Sequence, residues 1–239
     1  MSYFSKNKAS LTDLILERNK DFANEYQKNG LMQLVKSPLI ENRLTAESLL
    51  DAIQVLSDYF QKVVMLRNVL CDNSYILAIT TQHLNEEFGH NQSLLKDRNN
   101  RPPVWDPILE ATSSWFVWKM FTLDNDQKSV LIHLVLESSA NIFFTAAFQI
   151  MNKHYDTDYF IKHANLDEGH EEMGIELIRG VSLQRKADLF LIQEQGWEMM
   201  NQACNRIAQL AIENSTPISK VAPKLKNKDV HPIKKMSVN

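Results

Sequence analysis

The sequence has few of the residues that crosslink chains or direct them across membranes. Its 239 residues include only two cysteines, Cys71 and Cys204, which make neither a disulfide framework nor a C-x-x-C metal pair. This scarcity favours a reduced, cytoplasmic setting. The first residues lack the apolar stretch of a signal peptide, and no run of eighteen apolar residues occurs. We therefore expect neither export nor a membrane-spanning segment.

Charge of one sign is also missing. The chain has 26 basic and 29 acidic residues, a formal net charge of -3. Such a balance favours neither nucleic acid nor an anionic membrane surface as a partner. The length, with 44% apolar residues, is enough for one full core. We therefore expect the ligand to be a small molecule. A homodimer is one assembly that the chain could form.

Helix-breaking residues are scarce. The chain has six glycines and seven prolines, and no proline lies between Pro107 and Pro217. Long blocks follow the 3.6-residue apolar period of helices, and the turn signals of β-hairpins are absent. The pattern predicts one all-α domain over residues 1–215 with about seven helices. The predicted helices cover about 10–29, 45–70, 74–97, a short aromatic helix from 107, 125–153, 157–179 and 182–214. Residues 216–239 form a lysine-rich segment that we expect to be disordered.

Two octapeptides share the pattern H-x-N-x-(E/D)-x-G-H, at residues 83–90 and 163–170. On a helix, positions i, i+4 and i+7 fall within a sector of roughly 60°. Each octapeptide therefore places two histidines and one carboxylate on one face. The carboxylate–histidine spacing i, i+3 within each is the one that di-iron bundle proteins use. The residues on these faces are His83, Glu87 and His90, then His163, Asp167 and His170.

Glu137 is an acid in a segment that is apolar on nearly every side. Burial of an isolated carboxylate costs several kcal/mol unless a cation or a metal offsets it. No lysine or arginine occurs between Lys128 and Lys153. We therefore predict that Glu137 is a metal ligand. His133, one turn earlier, is either a supporting residue or an ordinary core histidine.

The spacing favours two metal ions. His163 and His170 lie roughly 10 Å apart along a helix axis, too far for one ion without distortion. Two ions roughly 3.5–4 Å apart, bridged by carboxylates, fit better, with Glu137 as the bridging and catalytic carboxylate. Imidazole and carboxylate without thiolate suit iron, with manganese as the alternative. The predicted ligands are Glu87, His90, Glu137, His163, Asp167 and His170, and His83 or Glu86 could replace or supplement Glu87.

In the order of these residues, from about 74 to 180, the chain resembles the heme-oxygenase-like di-iron oxidases, which are related in fold to heme oxygenase and the TenA thiaminases. The resemblance implies a seven-helix bundle that binds two iron ions, takes up dioxygen and oxidises a small organic substrate. Known outcomes are N-oxygenation, oxidative bond cleavage of amino acids and alkene formation from fatty acids. Some members carry a carboxylate where this chain has His83. Others recruit one from the preceding helix, where Asp51 and Asp58 are the candidates.

Several other residues are candidates for substrate contact. Aromatic residues recur in the fourth and fifth predicted helices, where core packing is the default reading and pocket lining the alternative. Polar groups that could hold a carboxylate are Arg67, Lys119, Asn141 and Arg179. Gly89 and Gly169 each weaken their helix by about 1 kcal/mol, so they permit close packing or ease local opening. The aromatic residues are Trp115, Phe116, Trp118 and Phe121, then Phe143, Phe144 and Phe148.

Two other functions remain open at this stage. A TenA-like thiaminase or other hydrolase would need a cysteine nucleophile, and neither Cys71 nor Cys204 lies near the octapeptides in sequence. A metal-free helical interaction protein would use the same side chains as a polar core network. A heme oxygenase is disfavoured because the first 82 residues contain no histidine.

Overall fold

The computed structural model describes residues 9–155, 157–164 and 167–215, without the side chains of residues 164, 167, 168 and 171. Helices and their connections make up this part of the chain, and no strand occurs in it, which confirms the all-α prediction. The predicted segment 216–239 lies outside the described residues. The helices are α1 Leu11–Tyr26, α2 Gly30–Val35, α3 Arg43–Val69, α4 Ser74–Glu87, α5 His90–Asp97, α6 Pro107–Thr122, α7 Asn125–Ser129, α8 Ser138–His154, α9 Asp158–Ala164, α10 Asp167–Ile178 and α11 Lys186–Ser215.

Two helix starts follow directly from capping residues. Ser10 and Asp13 form a reciprocal capping box at the start of α1. Asp106 accepts hydrogen bonds from the backbone N–H groups of Ile108 and Leu109, both at 3.0 Å, ahead of Pro107 in the first turn of α6. The same carboxylate also binds Arg206 of α11 at 2.7 Å. The cap therefore begins α6 and fixes it to the last helix.

The predicted helix 74–97 is interrupted, which corrects the sequence-based expectation of one continuous helix. Gly89 has φ +87°, a left-handed conformation that glycine adopts without steric cost. As a result α4 ends at Glu87 and α5 begins at His90. The backbone N–H of Gly89 donates to Gln61 Oε1 of α3 at 2.7 Å, which holds the break in place.

The helix that carries Glu137 runs without a break from Asn125 to His154. Its middle part, Val130–Glu137, is a π-helix, and all eight of its residues are buried. We call this part the π segment. In length and composition the whole helix could cross a membrane, but 72% of its most apolar window is buried inside the protein, as in a core helix. Short π-helical stretches are rare and often occur at functional sites.

The bundle encloses the π segment on several sides. α3 packs against α6 and α11, while α10 and α11 both pack against the π segment. Two glycines permit this close approach. A Cβ at Gly174 of α10 would overlap the His133 side chain, and one at Gly196 of α11 would lie 2.6 Å from Leu131 Cδ1. The backbones of α10 and α11 therefore lie close to the π segment at these two glycines.

Candidate metal centre

A first cluster of possible ligands joins α4, the π segment and α10. His83, Glu87, Glu137 and His170 are all buried, and one ligand atom from each lies within 4.8 Å of the others. His83 Nε2 is 2.7 Å from Glu137 Oε1, and His170 Nδ1 is 3.3 Å from Glu137 Oε2. We call this set cluster A. It includes His83, which the sequence offered only as an alternative ligand.

A second cluster, cluster B, shares one residue with the first. Glu87, His90 and His163 are buried or nearly so, and their ligand atoms also lie within 4.8 Å of one another. Glu87 Oε2 is 3.0 Å from His90 Nδ1, and the Phe144 ring stacks on His163 with centroids 4.2 Å apart. Glu87, rather than Glu137, is the carboxylate common to both clusters.

Neighbouring groups orient two of the imidazoles. His163 Nδ1 lies 2.8 Å from the Tyr159 carbonyl, which can only accept, so Nδ1 carries the proton and Nε2 is free to bind a metal. His170 Nε2 lies 2.9 Å from Glu86 Oε2, while its Nδ1 faces Glu87 and Glu137. A carboxylate behind a ligand histidine is a common device for fixing its ring. Glu86 thus lies outside both clusters and orients His170.

The buried acids and imidazoles strongly shift one another's protonation. Burial alone would raise the pKa of Glu137, but the adjacent His83 and His170 outweigh it and hold the pKa well below its usual range. Burial would lower the pKa of His170, but Glu137, Glu87 and Glu86 raise it to about 9. Burial lowers the pKa of His163. Without a metal, Glu137 and His170 therefore form an ion pair.

A buried arginine lies beside the site, and sequence reasoning missed this role. Arg67 Nη1 donates to His133 Nε2 at 2.5 Å, and its Nη2 donates to Ser129 Oγ at 3.3 Å. Burial lowers the pKa of Arg67 to about 10. The absence of a cation near Glu137 was inferred from its own helix, whereas Arg67 comes from α3. Arg67 is therefore occupied within the core and does not line the cavity described below.

Other predicted residues lie away from the clusters. Asp51 binds Arg98 and Arg101, each at 2.8 Å. Asp58 accepts from the side-chain amides of Gln54 and Asn91 at 2.8 and 2.9 Å. Neither aspartate belongs to cluster A or to cluster B. The backbone of Asp167 begins α10, and its side chain lies outside the described part of the structure.

A cavity of about 80 Å³ opens beside the clusters. Its wall is mostly apolar, and it includes the ligand candidates Glu87, His90, Glu137 and His163. Tyr26 and Cys204 meet in the same wall, with the phenol oxygen 3.3 Å from Sγ. The wall includes Phe143 and Phe144 as well as Leu31, Ile53, Leu56, Phe60, Leu136, Ala140, Met200 and Ile207. The predicted contacts Lys119, Asn141 and Arg179 are not part of it.

The predicted aromatic residues of α6 have other places. Phe116 is buried in the core, whereas Trp118 and Phe121 are exposed. Lys119 lies over the Trp115 ring, 4.9 Å from its centroid. The cavity wall instead includes Gln61 and Cys204, which are far from the octapeptides in sequence. No pattern in the sequence marks either residue.

The fold is that of the heme-oxygenase-like, TenA-like proteins. A crystal structure of a TenA homolog from Pseudomonas syringae pv. tomato str. DC3000 superposes with a TM-score of 0.60 at 12% identity, covering 87% of this chain and 100% of that one. A domain of unknown function with a heme oxygenase-like fold from Shewanella denitrificans OS217 gives 0.58 at 17% identity, covering 84% and 93%.

One relative is close enough in sequence to define a family. Uncharacterized protein RP592 of Rickettsia prowazekii (strain Madrid E) is 33% identical over 201 residues, which cover 84% of this chain and 96% of that protein. The chain therefore belongs to the same family as this rickettsial protein. No protein-family model matches the chain.

Proposed function

We propose that the protein is a non-heme di-iron oxidase or oxygenase that uses dioxygen to oxidise a small organic substrate. The observation that carries this proposal is the pair of buried clusters that share Glu87 and border an apolar cavity. The reaction would be an N-oxygenation or an oxidative C–C or C–N cleavage of an amino-acid-like or fatty-acid-like molecule. Manganese is the alternative metal.

The donor set fits the proposed metal. The described ligand candidates are four imidazoles and two carboxylates without a thiolate, the mixture that suits iron or manganese. Glu87 and Glu137 are both buried, and two divalent ions would add to the stabilisation that the protonated His170 gives these carboxylates. Asp167, four residues after His163 in the sequence, is a further proposed ligand.

Each group has a role that its surroundings support. Glu87 would bind both ions, with His83, Glu137 and His170 on one side and His90 and His163 on the other. Bound iron would supply the chemistry of dioxygen reduction. Glu86 and the Tyr159 carbonyl keep the rings of His170 and His163 in orientation. The apolar wall would exclude water and hold the substrate beside Glu137.

Metal stoichiometry tests the proposal. Anaerobic titration with ferrous iron should give about two bound equivalents, as a two-metal site requires. Exposure to air should then consume dioxygen and give a transient visible absorption. Glu137→Ala and His163→Ala should abolish the transient. Elemental analysis of the purified protein that finds neither iron nor manganese, and no binding on titration, would instead support a metal-free polar network.

A second candidate is a hydrolase of the TenA type, because Cys204 lines the same cavity as Glu87 and Glu137. A cysteine nucleophile needs its thiolate form. Burial raises the pKa of Cys204 to about 12, although the contact with Tyr26 lowers it somewhat. The thiol is therefore protonated near neutral pH, which ranks this candidate second.

A further inference from the structure

One amide in the cavity wall has its orientation fixed and its donor end free. Gln61 Oε1 accepts the backbone N–H of Gly89 at 2.7 Å. Because a backbone N–H only donates, the oxygen of this amide must face Gly89, and Nε2 must point the other way. Gln61 Nε2 is buried, and it has no hydrogen-bond partner among the described residues. Gln61 itself lines the cavity.

Several other polar groups in the wall already have hydrogen-bond partners. The Tyr26 hydroxyl and Cys204 Sγ contact each other at 3.3 Å. Asn91 Nδ2 donates to Asp58 at 2.9 Å, and Ser139 Oγ donates to the Leu136 carbonyl at 2.9 Å. A buried donor without a partner is unfavourable, and an acceptor atom on a ligand removes that penalty. Gln61 Nε2 is thus the group best placed to recognise a ligand in this cavity.

We propose that Gln61 is a substrate-binding residue that donates its Nε2–H to a neutral carbonyl or hydroxyl oxygen of a compact, otherwise apolar substrate. This inference rests on the proposed oxidase function, and it takes a neutral molecule as the substrate in place of the carboxylate-bearing amino acid or fatty acid named there. The cavity, at about 80 Å³, is smaller than the ~150 Å³ cavity that admits benzene, so it suits molecules with fewer non-hydrogen atoms than benzene has.

The charge of the wall favours a neutral oxygen. Among the described residues that line the cavity, none is a lysine or an arginine. In the metal-free protein, an anionic group directed at Gln61 would therefore lack a lysine or arginine counter-charge there. Gln61 also holds Gly89, which lies between the ligand candidates Glu87 and His90. Gln61 and these ligand candidates thus line the same cavity.

Four probes with five non-hydrogen atoms each separate the relevant chemistries: 2-butanone, propionate, n-butylamine and pentane. Binding is measured by ligand-observed NMR on the full chain with a chelator present, so that no metal attracts propionate. 2-Butanone should bind more tightly than pentane and propionate. Gln61→Leu should weaken 2-butanone binding about three- to tenfold, the range expected for one hydrogen bond, and leave pentane binding unchanged.

Gln61→Glu is the matched variant. A glutamate at 61 still accepts the Gly89 N–H but offers an acceptor where Nε2 was a donor. The preference should therefore change from 2-butanone to n-butylamine. Pentane binding shows that each variant keeps the cavity. The assignment is overturned if Gln61→Leu binds 2-butanone as the wild type does, if Gln61→Glu keeps the original preference, or if the wild type binds none of the probes.

The binding test of Gln61 does not depend on whether the protein binds a metal. Iron stoichiometry is measured separately on the same three proteins. Gln61-dependent binding of 2-butanone in a protein that takes up no iron would contradict the oxidase and leave the assignment of Gln61 standing. About two bound irons, as a two-metal site requires, with 2-butanone binding indifferent to residue 61, would overturn the assignment alone.

Discussion

Gly174 of α10 lies so close to His133 of the π segment that a Cβ at position 174 would overlap the His133 side chain. This contact places α10, which carries His170, against the segment that carries Glu137. The His170–Glu137 distance of 3.3 Å therefore depends on position 174, four residues after His170, being a glycine, which has no side chain. Cluster A is assembled by close backbone packing as much as by its own side chains.

Gly174→Ala should weaken metal binding in cluster A. The added methyl group has to displace α10 or His133, which we expect to lower the free energy of unfolding by about 1–3 kcal/mol. The measurement is urea unfolding of the metal-free protein together with anaerobic iron titration. Gly169→Ala is the control, because a Cβ there meets no atom of the described residues within 4 Å, and it should stabilise α10 by up to ~1 kcal/mol. Equal loss of iron in both variants would argue against the packing explanation.

Gly89→Ala should disturb cluster B through the backbone. A non-glycine residue at φ +87° costs roughly 1–2 kcal/mol, and relief of this strain would move His90 relative to Glu87. Gly180→Ala is matched, because Gly180 has φ +82° at the far end of α10. Both variants should lose similar unfolding free energy, but only Gly89→Ala should lose iron affinity. If Gly89→Ala retained wild-type iron binding, the break would not position His90.

Variants that each lack one ligand candidate should show how much of the bound metal each cluster holds. His83→Ala removes a residue of cluster A only, and His163→Ala one of cluster B only, so each should retain about one of two equivalents. Glu87→Ala should lose both because its carboxylate is shared. Iron per protein after gel filtration is the readout, and His154→Ala, on an exposed position, is the control. Full retention of iron by Glu87→Ala would exclude the shared arrangement.

The two cysteines should differ sharply in reactivity. With a pKa of about 12, Cys204 is roughly one part in 10⁴ thiolate at pH 8, and it is buried. Cys71 is partly exposed. Iodoacetamide at pH 8 should therefore modify Cys71 first, as followed by mass spectrometry, with Cys71→Ser protein showing little adduct. Rapid alkylation of Cys204 would instead favour the hydrolase.

The helices could be predicted where local residues define them. Ser10 with Asp13, and Asp106 with Pro107, mark the starts of α1 and α6 because capping is a short-range interaction. The break at Gly89 could not be placed, since one glycine within a helical pattern is tolerated or not according to its tertiary contacts. Here the contact is Gln61, from another helix.

The residues of the site could be predicted from the sequence only in part. The repeated octapeptides indicated which histidines and acids would gather, and a lone acid in an apolar segment indicated Glu137. The sharing of Glu87 by both clusters was not evident, because it depends on how α4, α5 and α9 meet. Arg67 was one of four candidates to hold a substrate carboxylate, and the structure places it against His133. Long-range approaches of this kind leave no periodic trace in a sequence.

The π segment makes the spacing of residues 130–137 a property of the site rather than of the bundle. A π turn closes its hydrogen bonds over one more residue than an α turn. This stretch therefore contains more residues per turn than an α-helix would. Deletion of a single residue there could restore regular helical geometry and leave the fold standing, while turning Glu137 away from its partners. Natural variation in chain length within this stretch would therefore separate relatives that keep the chemistry from relatives that keep only the scaffold.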